Sequence, residues 1–128
     1  MIPEGFTTVF PYIFAQDANA YLDFLRDGLG GEIVDVHRIP DGTLANAHVR
    51  FGAMTLMVSE ATPAMRKIYG TYYLYVEDAH AAMAIAIAAG GVQQMAVADM
   101  PYGDRQSGIT DPQGNVWWIS QHLETAVY

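Results

Sequence analysis

The sequence predicts an α+β fold: two βαβββ modules, residues 6–60 and 70–122 of a single domain spanning 1–128, whose curved mixed sheets surround a concave pocket with the helices outside. Three observations carry this. Landmarks recur at a nearly constant separation: Asp17 and Asp78 are placed to cap helices 61 residues apart, and Gly31 and Gly91 close those helices 60 apart. Gly52 and Gly114, each in a turn before a module's last strand, lie 62 apart. Each module then reads in the same order, one strand, one helix and three strands. Finally, 52% hydrophobic against 16% charged residues is a globular composition, in a chain long enough to bury about two-thirds of its unfolded surface.

Taken in order, residues 7–15 read as a strand rich in β-branched and aromatic residues. Pro11 lacks an N–H, which puts that strand at an edge or makes it irregular. Asp17 then caps a helix with Ala18, Tyr21, Leu22 and Leu25 on one face and Asn19, Asp23 and Arg26 on the other. Gly28, Gly30 and Gly31 stop it. Residues 32–39 and 44–51 form strands about the turn Pro40-Asp41-Gly42-Thr43, and 54–60 follow Gly52-Ala53. Residues 61–69 link the halves. The second module repeats the order: strand 71–76, a helix over 79–89, strand 92–97, a loop over 99–103, strand 105–110, and a last strand ending at His122. The second helix is nearly all Ala, Met and Ile, without a polar face, so it is either good helix-forming composition or a surface that wants cover from another subunit.

Charge and composition exclude several functions. Six basic against fourteen acidic residues give a net charge of −8, which argues against a nucleic-acid partner. An acidic surface serves solubility and can also attract a cationic ligand. No apolar run approaches the roughly 20 residues of a membrane span. There is no cysteine, hence no disulfide framework, thiolate metal site or cysteine nucleophile. With no signal-peptide pattern at the start, a cytoplasmic location is expected. Nucleophile elbows, phosphate loops and dinucleotide fingerprints are missing.

The densest motif is Asp111-Pro112-Gln113-Gly114-Asn115-Val116-Trp117-Trp118, a tight turn entering a strand. Adjacent strand residues point to opposite faces, so Trp117 and Trp118 cannot share an environment. This stretch, the preceding Tyr102-Gly103-Asp104-Arg105, the paired modules and the helix ending in Gly-Gly resemble the vicinal oxygen chelate superfamily, which includes glyoxalase I, bleomycin resistance proteins and extradiol dioxygenases. The resemblance runs from about Val9 to His122. It is strongest to the glyoxalase/bleomycin-resistance-like branch often labelled 3-demethylubiquinone-methyltransferase-like.

The resemblance implies four metal-ligand positions, which fall on Phe10, Leu56, Thr71 and Trp118. None carries the imidazole or carboxylate that a divalent ion requires, so no metal and no cofactor is expected. The same positions mark the concave face. Strand alternation turns Phe10, Tyr12 and Phe14 inward, then Leu56, Val58 and Glu60, then Thr71, Tyr73 and Tyr75, then Trp118, Ser120 and His122. Met57, Leu74, Trp117 and Ile119 turn outward beneath the helices. The expected ligand-binding set is Phe10, Tyr12, Leu56, Thr71, Tyr73, Tyr102, Arg105 and Trp118, suited to a small aromatic or cationic molecule.

Glu60 and His122, 62 residues apart, end corresponding inward rows. They are read either as a carboxylate–imidazole pair for acid/base work or as solvated strand ends. Arg105 either fixes a ligand anion or pairs with Asp104 or Asp111 to hold its loop. His37 and His48 read as sheet-surface residues and His80 as an exposed helix residue. Two functions follow: a metal-free small-molecule binder, homodimeric like the bleomycin resistance proteins it resembles, or a superfamily enzyme using Glu60 and His122 or a non-standard metal site. A scaffold acting only through partner contacts is a third.

Overall fold

The structure, a computed structural model, describes residues 1–123; the rest of the expected 1–128 domain lies outside the described residues. The chain folds as two compact units, the first ending at Ile68 and the second beginning at Tyr69. Each unit is a mixed sheet with one helix, the α+β class expected.

In the first unit, β1 (Tyr12–Ala15), α1 (Ala18–Asp27), β2 (Glu32–Arg38), β3 (Leu44–Phe51) and β4 (Met54–Glu60) give a sheet of order β1-β4-β3-β2. β1 is an edge strand, parallel to β4, and begins only after Pro11, where the missing N–H leads one to look for irregularity. α1 buries Ala18, Tyr21, Leu22, Phe24 and Leu25 and exposes Asp23 and Arg26. It covers one face of the sheet, where Ile13, Ala47, Val49, Leu56 and Val58 are all buried. Gly31 sits so close to Val49 and the Leu25 carbonyl that a Cβ there would meet both at 3.0 Å or less.

The second unit holds β5 (Thr71–Tyr75), α2 (Ala79–Ala88), β6 (Val92–Gln93), β7 (Ala98–Asp99), β8 (Asp104–Thr110) and β9 (Val116–His122). Its sheet runs β5-β9-β8-β6, with β7 also on β8. The strand expected over 92–97 is replaced by two two-residue strands, β6 and β7, both antiparallel to β8. β8 starts one residue earlier than expected, at Asp104. α2 buries only Ala79, Met83 and Ala86 and leaves Ile85 and Ile87 exposed, so its apolar surface is not used up within the chain.

The Asp111 turn is the best-satisfied polar element. Its buried carboxylate accepts from the backbone N–H of Gln113 (2.8 Å) and Asn115 (3.0 Å), the Asn115 amide (3.2 Å) and the Trp117 indole (2.9 Å). Asn115 in turn accepts from the Gly70 N–H at 2.7 Å, tying the turn to the start of β5. Gly114 has φ 90°, and a Cβ there would lie 2.5 Å from the Tyr69 ring. The motif is therefore explained by folding: an acceptor-only carboxylate placed where four donors converge.

Candidate functional site

Both sheets keep one face free of helix, and ladder register decides which side chains stand on it. In the second unit Ile109 pairs with Trp117, and Ile109 lies against Gly91 at the end of α2, so Trp117, Leu74 and Ile119 share the α2 side. Thr71, Tyr73, Tyr75, Trp118, Ser120 and His122 take the helix-free face, as expected from alternation.

In the first unit the alternation of β4 is shifted by one residue. Leu56 pairs with Val49 and Val58 with Ala47 and Ile13, all on the α1 side. Leu56, expected to line a concavity, is 0% exposed in the core, while Met57, Thr55 and Ser59 share the helix-free face with Tyr12. The cause is turn length. The β3–β4 turn is the two residues Gly52-Ala53, whereas five residues, 111–115, join β8 to β9. The two turn glycines are thus not equivalent, and β4 matches β9 at a separation of 61: Val58 with Ile119, Met57 with Trp118.

The same shift corrects the Glu60–His122 pairing. Glu60 corresponds to Gln121, and the two do the same work. Glu60 accepts from the N–H of Asp17 (3.0 Å) and Ala18 (2.8 Å) at the start of α1, and Gln121 accepts from the Ala79 N–H (3.0 Å) at the start of α2. Those N–H groups are among the ones a helix start leaves without intrahelical partners. Glu60 is a helix-capping group on the α1 side of its sheet, and His122 stands on the helix-free face of the other.

What His122 meets is Asp104. This carboxylate is 0% exposed and lies at the start of β8. It accepts hydrogen bonds from the Tyr73 hydroxyl and, at 3.0 Å, from the Tyr75 hydroxyl, and lies 3.1 Å from His122 Nδ1. The Tyr75 and His122 rings meet edge-on at 6.3 Å. Beside this hub, Tyr102 donates to Gln106, and Gln106 donates to Ser120 at 2.7 Å. Burial, with the nearby Tyr73 and Asp104, pushes the Tyr102 phenol above its usual value. Trp118 lies over Gly108, where a Cβ would come within 3.0 Å of the ring, and its indole donates to Thr71 at 2.9 Å. Tyr73, Tyr75 and Tyr102 stay about half exposed (48%, 52% and 45%), a surface of anchored aromatic rings.

Arg105 points the other way from Asp104. Its partner is Asp99 at 2.8 Å, neither Asp104 nor Asp111, and that guanidinium hydrogen bond holds the Asp99 carboxyl below its usual range. An opening of about 990 Å³ at this end of the sheet is lined by Tyr75, Glu77, Asp99, Arg105, Gln121 and His122, among others.

On the first unit's helix-free face, Tyr12 meets only neutral groups. Tyr12 bonds to Ser59 at 2.6 Å and accepts from Asn46 at 3.2 Å, and Ser59 donates to the Ala45 carbonyl. Tyr12 stacks on Phe14 at 4.8 Å. Phe10 packs on Phe6 (4.8 Å), which meets His48 edge-on, so the N-terminal segment covers part of this face. His37 and His48 sit beside Asp35 at 3.0 and 3.9 Å, and His80 is exposed on α2.

The positions on which a superfamily metal would rest are Phe10, Thr71, Trp118 and, after the one-residue correction, Met57. These residues do not fit a hard divalent ion. No group of three His, Cys, Asp or Glu able to hold a metal occurs among the described residues. Sequence reasoning named Tyr73, Tyr102 and His122 as site residues but left out Asp104, which fell between a loop ending at 103 and a strand beginning at 105. Counting alternation back from Gln106 would have placed it on the same face as His122.

Two mixed sheets, each with one helix on one face, a strand pairing parallel at the edge, and an Asp-Pro-x-Gly-Asn turn define a two-module fold of the glyoxalase type. The chain belongs to the Glyoxalase/Bleomycin resistance protein/Dioxygenase superfamily, whose family model matches residues 6–119. It is 29% identical over 124 residues to Uncharacterized protein Mb0911c of Mycobacterium bovis, covering 87% of this chain and 80% of that one. Its fold is similar to that of TioX from Micromonospora sp. ML1 (TM-score 0.77, 21% identity, 91% of this chain and 99% of that one). It is also similar to TnmS3, an antibiotic binding protein from Streptomyces sp. CB03234 (TM-score 0.71, 20% identity, 91% and 98%).

Proposed function

We propose that this chain is a metal-free binder of a small aromatic or cationic molecule. The observation that carries the reading is the helix-free face of the second unit, where half-exposed Tyr73, Tyr75 and Tyr102 stand with Trp118 on a sheet, their polar atoms already anchored. Rigid rings of this kind give contact area at little entropic cost, and their faces attract cations. The net charge of −8 favours the same ligands, and TnmS3, of the same fold, is an antibiotic binding protein. Phe10, Tyr12 and Thr71 extend the aromatic and polar surface; Arg105 contributes from the end of the sheet, and Leu56 supports from the core. Exposed Ile85 and Ile87 on α2 are consistent with a homodimer, and the cysteine-free composition with a cytoplasmic protein.

The test is tryptophan fluorescence titration with bleomycin-like and other aromatic cationic ligands. Saturable quenching is expected, weakened roughly tenfold in Trp118→Ala, the cost of one stacking contact. No response across a broad panel sinks the reading. Protein purified without chelator should carry no stoichiometric Zn, Ni, Mn or Fe. One observation favours an enzyme as second reading: the Asp104–His122 contact at 3.1 Å is a carboxylate–imidazole couple of the kind that moves protons. Turnover lost in both Asp104→Asn and His122→Ala would establish it.

A further inference from the structure

We infer that Asp104 makes the helix-free face of the second unit a hydrogen-bond acceptor surface, so that its ligand is a donor-rich cation such as an amidinium, guanidinium or protonated amine. This rests on the binding reading above and specifies it. An ionised carboxylate accepts and cannot donate. Asp104, fully buried, takes the hydroxyl protons of Tyr73 and Tyr75. It likewise draws the Nδ1 proton of His122, which fixes the neutral ring in the tautomer whose Nε2 is an acceptor. A hydroxyl that has given its one proton inward can offer a ligand only lone pairs.

Tyr102 is committed the same way. Its proton goes to the Gln106 amide oxygen, whose nitrogen donates on to Ser120, which donates to the Trp118 carbonyl. Four polar tips at the edge of one face are therefore all turned to accept. No lysine or arginine of β5, β8 or β9 stands on that face to reverse the sign, since Arg105 lies on the opposite one with Asp99. The first unit lacks the device: Tyr12 ends on Ser59, a neutral hydroxyl, and itself accepts from Asn46.

The inference is tested with three probes of one size: benzamidinium, which has a cation and N–H donors, benzyltrimethylammonium, a cation without donors, and benzoate, an anion without donors. Binding is followed by NMR shifts of the Trp118 indole and the His122 ring. Benzamidinium should bind, benzyltrimethylammonium roughly tenfold or more weakly, and benzoate not at all, because charge-assisted donor bonds are the ones lost. Tyr75→Phe should weaken benzamidinium severalfold more than it weakens benzyltrimethylammonium, because the phenyl ring is kept and only the acceptor is lost.

Ring ¹⁵N shifts of the unliganded protein should show His122 protonated on Nδ1, and Asp104→Asn, whose amide can donate, should release that preference. If Asp104→Asn does not fold, Tyr75→Phe and the wild-type tautomer decide alone. Benzoate binding as well as benzamidinium, or a neutral His122 protonated on Nε2, overturns the inference while leaving the binding reading intact. Failure of all three probes overturns the inference; if the wider aromatic panel fails too, the binding reading falls with it.

Discussion

The two units use one plan and differ in the polar group that the tyrosines of their helix-free faces meet. Leu44 and Asp104 are both buried at the start of β3 and β8, but Leu44 pairs with Arg38 across a register shift, whereas Asp104 pairs with His122 on the helix-free face. In the first unit the nearby Tyr12 finds a neutral hydroxyl, Ser59; in the second the matching Tyr73 finds a carboxylate. Leu44 adds core to the first unit, whereas Asp104 gathers Tyr75 and His122 as well and gives the second unit's helix-free face an acceptor to organise around.

The largest expected effect breaks this comparison directly. Leu44→Asp buries a carboxylate without the Tyr75 and His122 counterparts and should cost about 4 kcal/mol or prevent folding. The reciprocal Asp104→Leu should cost only about 1–2 kcal/mol, since its donors are half exposed and can turn to water. Chemical denaturation of both variants decides it, and equal losses would show that the donors around Asp104 do not turn to water.

Next comes the contrast between turns. Asp111→Ala strands four donors and should destabilise by about 3 kcal/mol, against about 1 for Gly52→Ala, where only a positive φ of 57° is compromised. A cost for Gly52→Ala as large as that for Asp111→Ala would mean that the short turn is equally specified. Third, Glu60→Ala and Gln121→Ala should each cost about 1–2 kcal/mol by uncapping their helices, with no effect on ligand affinity in either. A loss of binding in Glu60→Ala with stability intact would restore Glu60 to the site.

The smallest effect concerns pH. Asp99 and Asp35 are held below the usual carboxylate range first by hydrogen bonds from Arg105 and His37 respectively. Because their folded values are depressed, their stabilisation is complete above the ordinary aspartate range and is lost as pH falls through the lower folded values. Both are exposed, so the loss is slight. Carboxyl NMR titrations should show the Asp99 midpoint rising in Arg105→Gln and the Asp35 midpoint rising in His37→Gln; an unmoved midpoint would remove the partner as the cause.

Much of the fold was legible in the sequence, and for identifiable reasons. Asp17, Asp78 and the Gly-Gly pairs are local signals, and a cap or helix stop depends on residues within a few positions. The face assignments of β5 and β9 followed from alternation together with the positions that the family resemblance placed on the concave face. The slip on β4 came from treating Gly52 and Gly114 as equivalent when one sits in a two-residue turn and the other in a five-residue one, and a one-residue error exchanges the faces of a strand. The break between β6 and β7 was invisible because residues 92–97 are uniformly compatible with a strand. Asp104 was missed because its partners come from β5 and β9, 18 to 31 residues away, and nothing local marks such a convergence.

The capping contacts of Glu60 and Gln121 have a kinetic consequence. Each spans 42 residues, from the first amide of a helix to the end of that unit's last strand. Neither can form until the helix start and the end of the last strand have been brought together. Exchange of the Ala18 and Ala79 amides with deuterium should therefore proceed through opening of the whole unit, not through fraying of a helix end. Those two amides would serve as separate clocks for how long each half of the molecule stays shut.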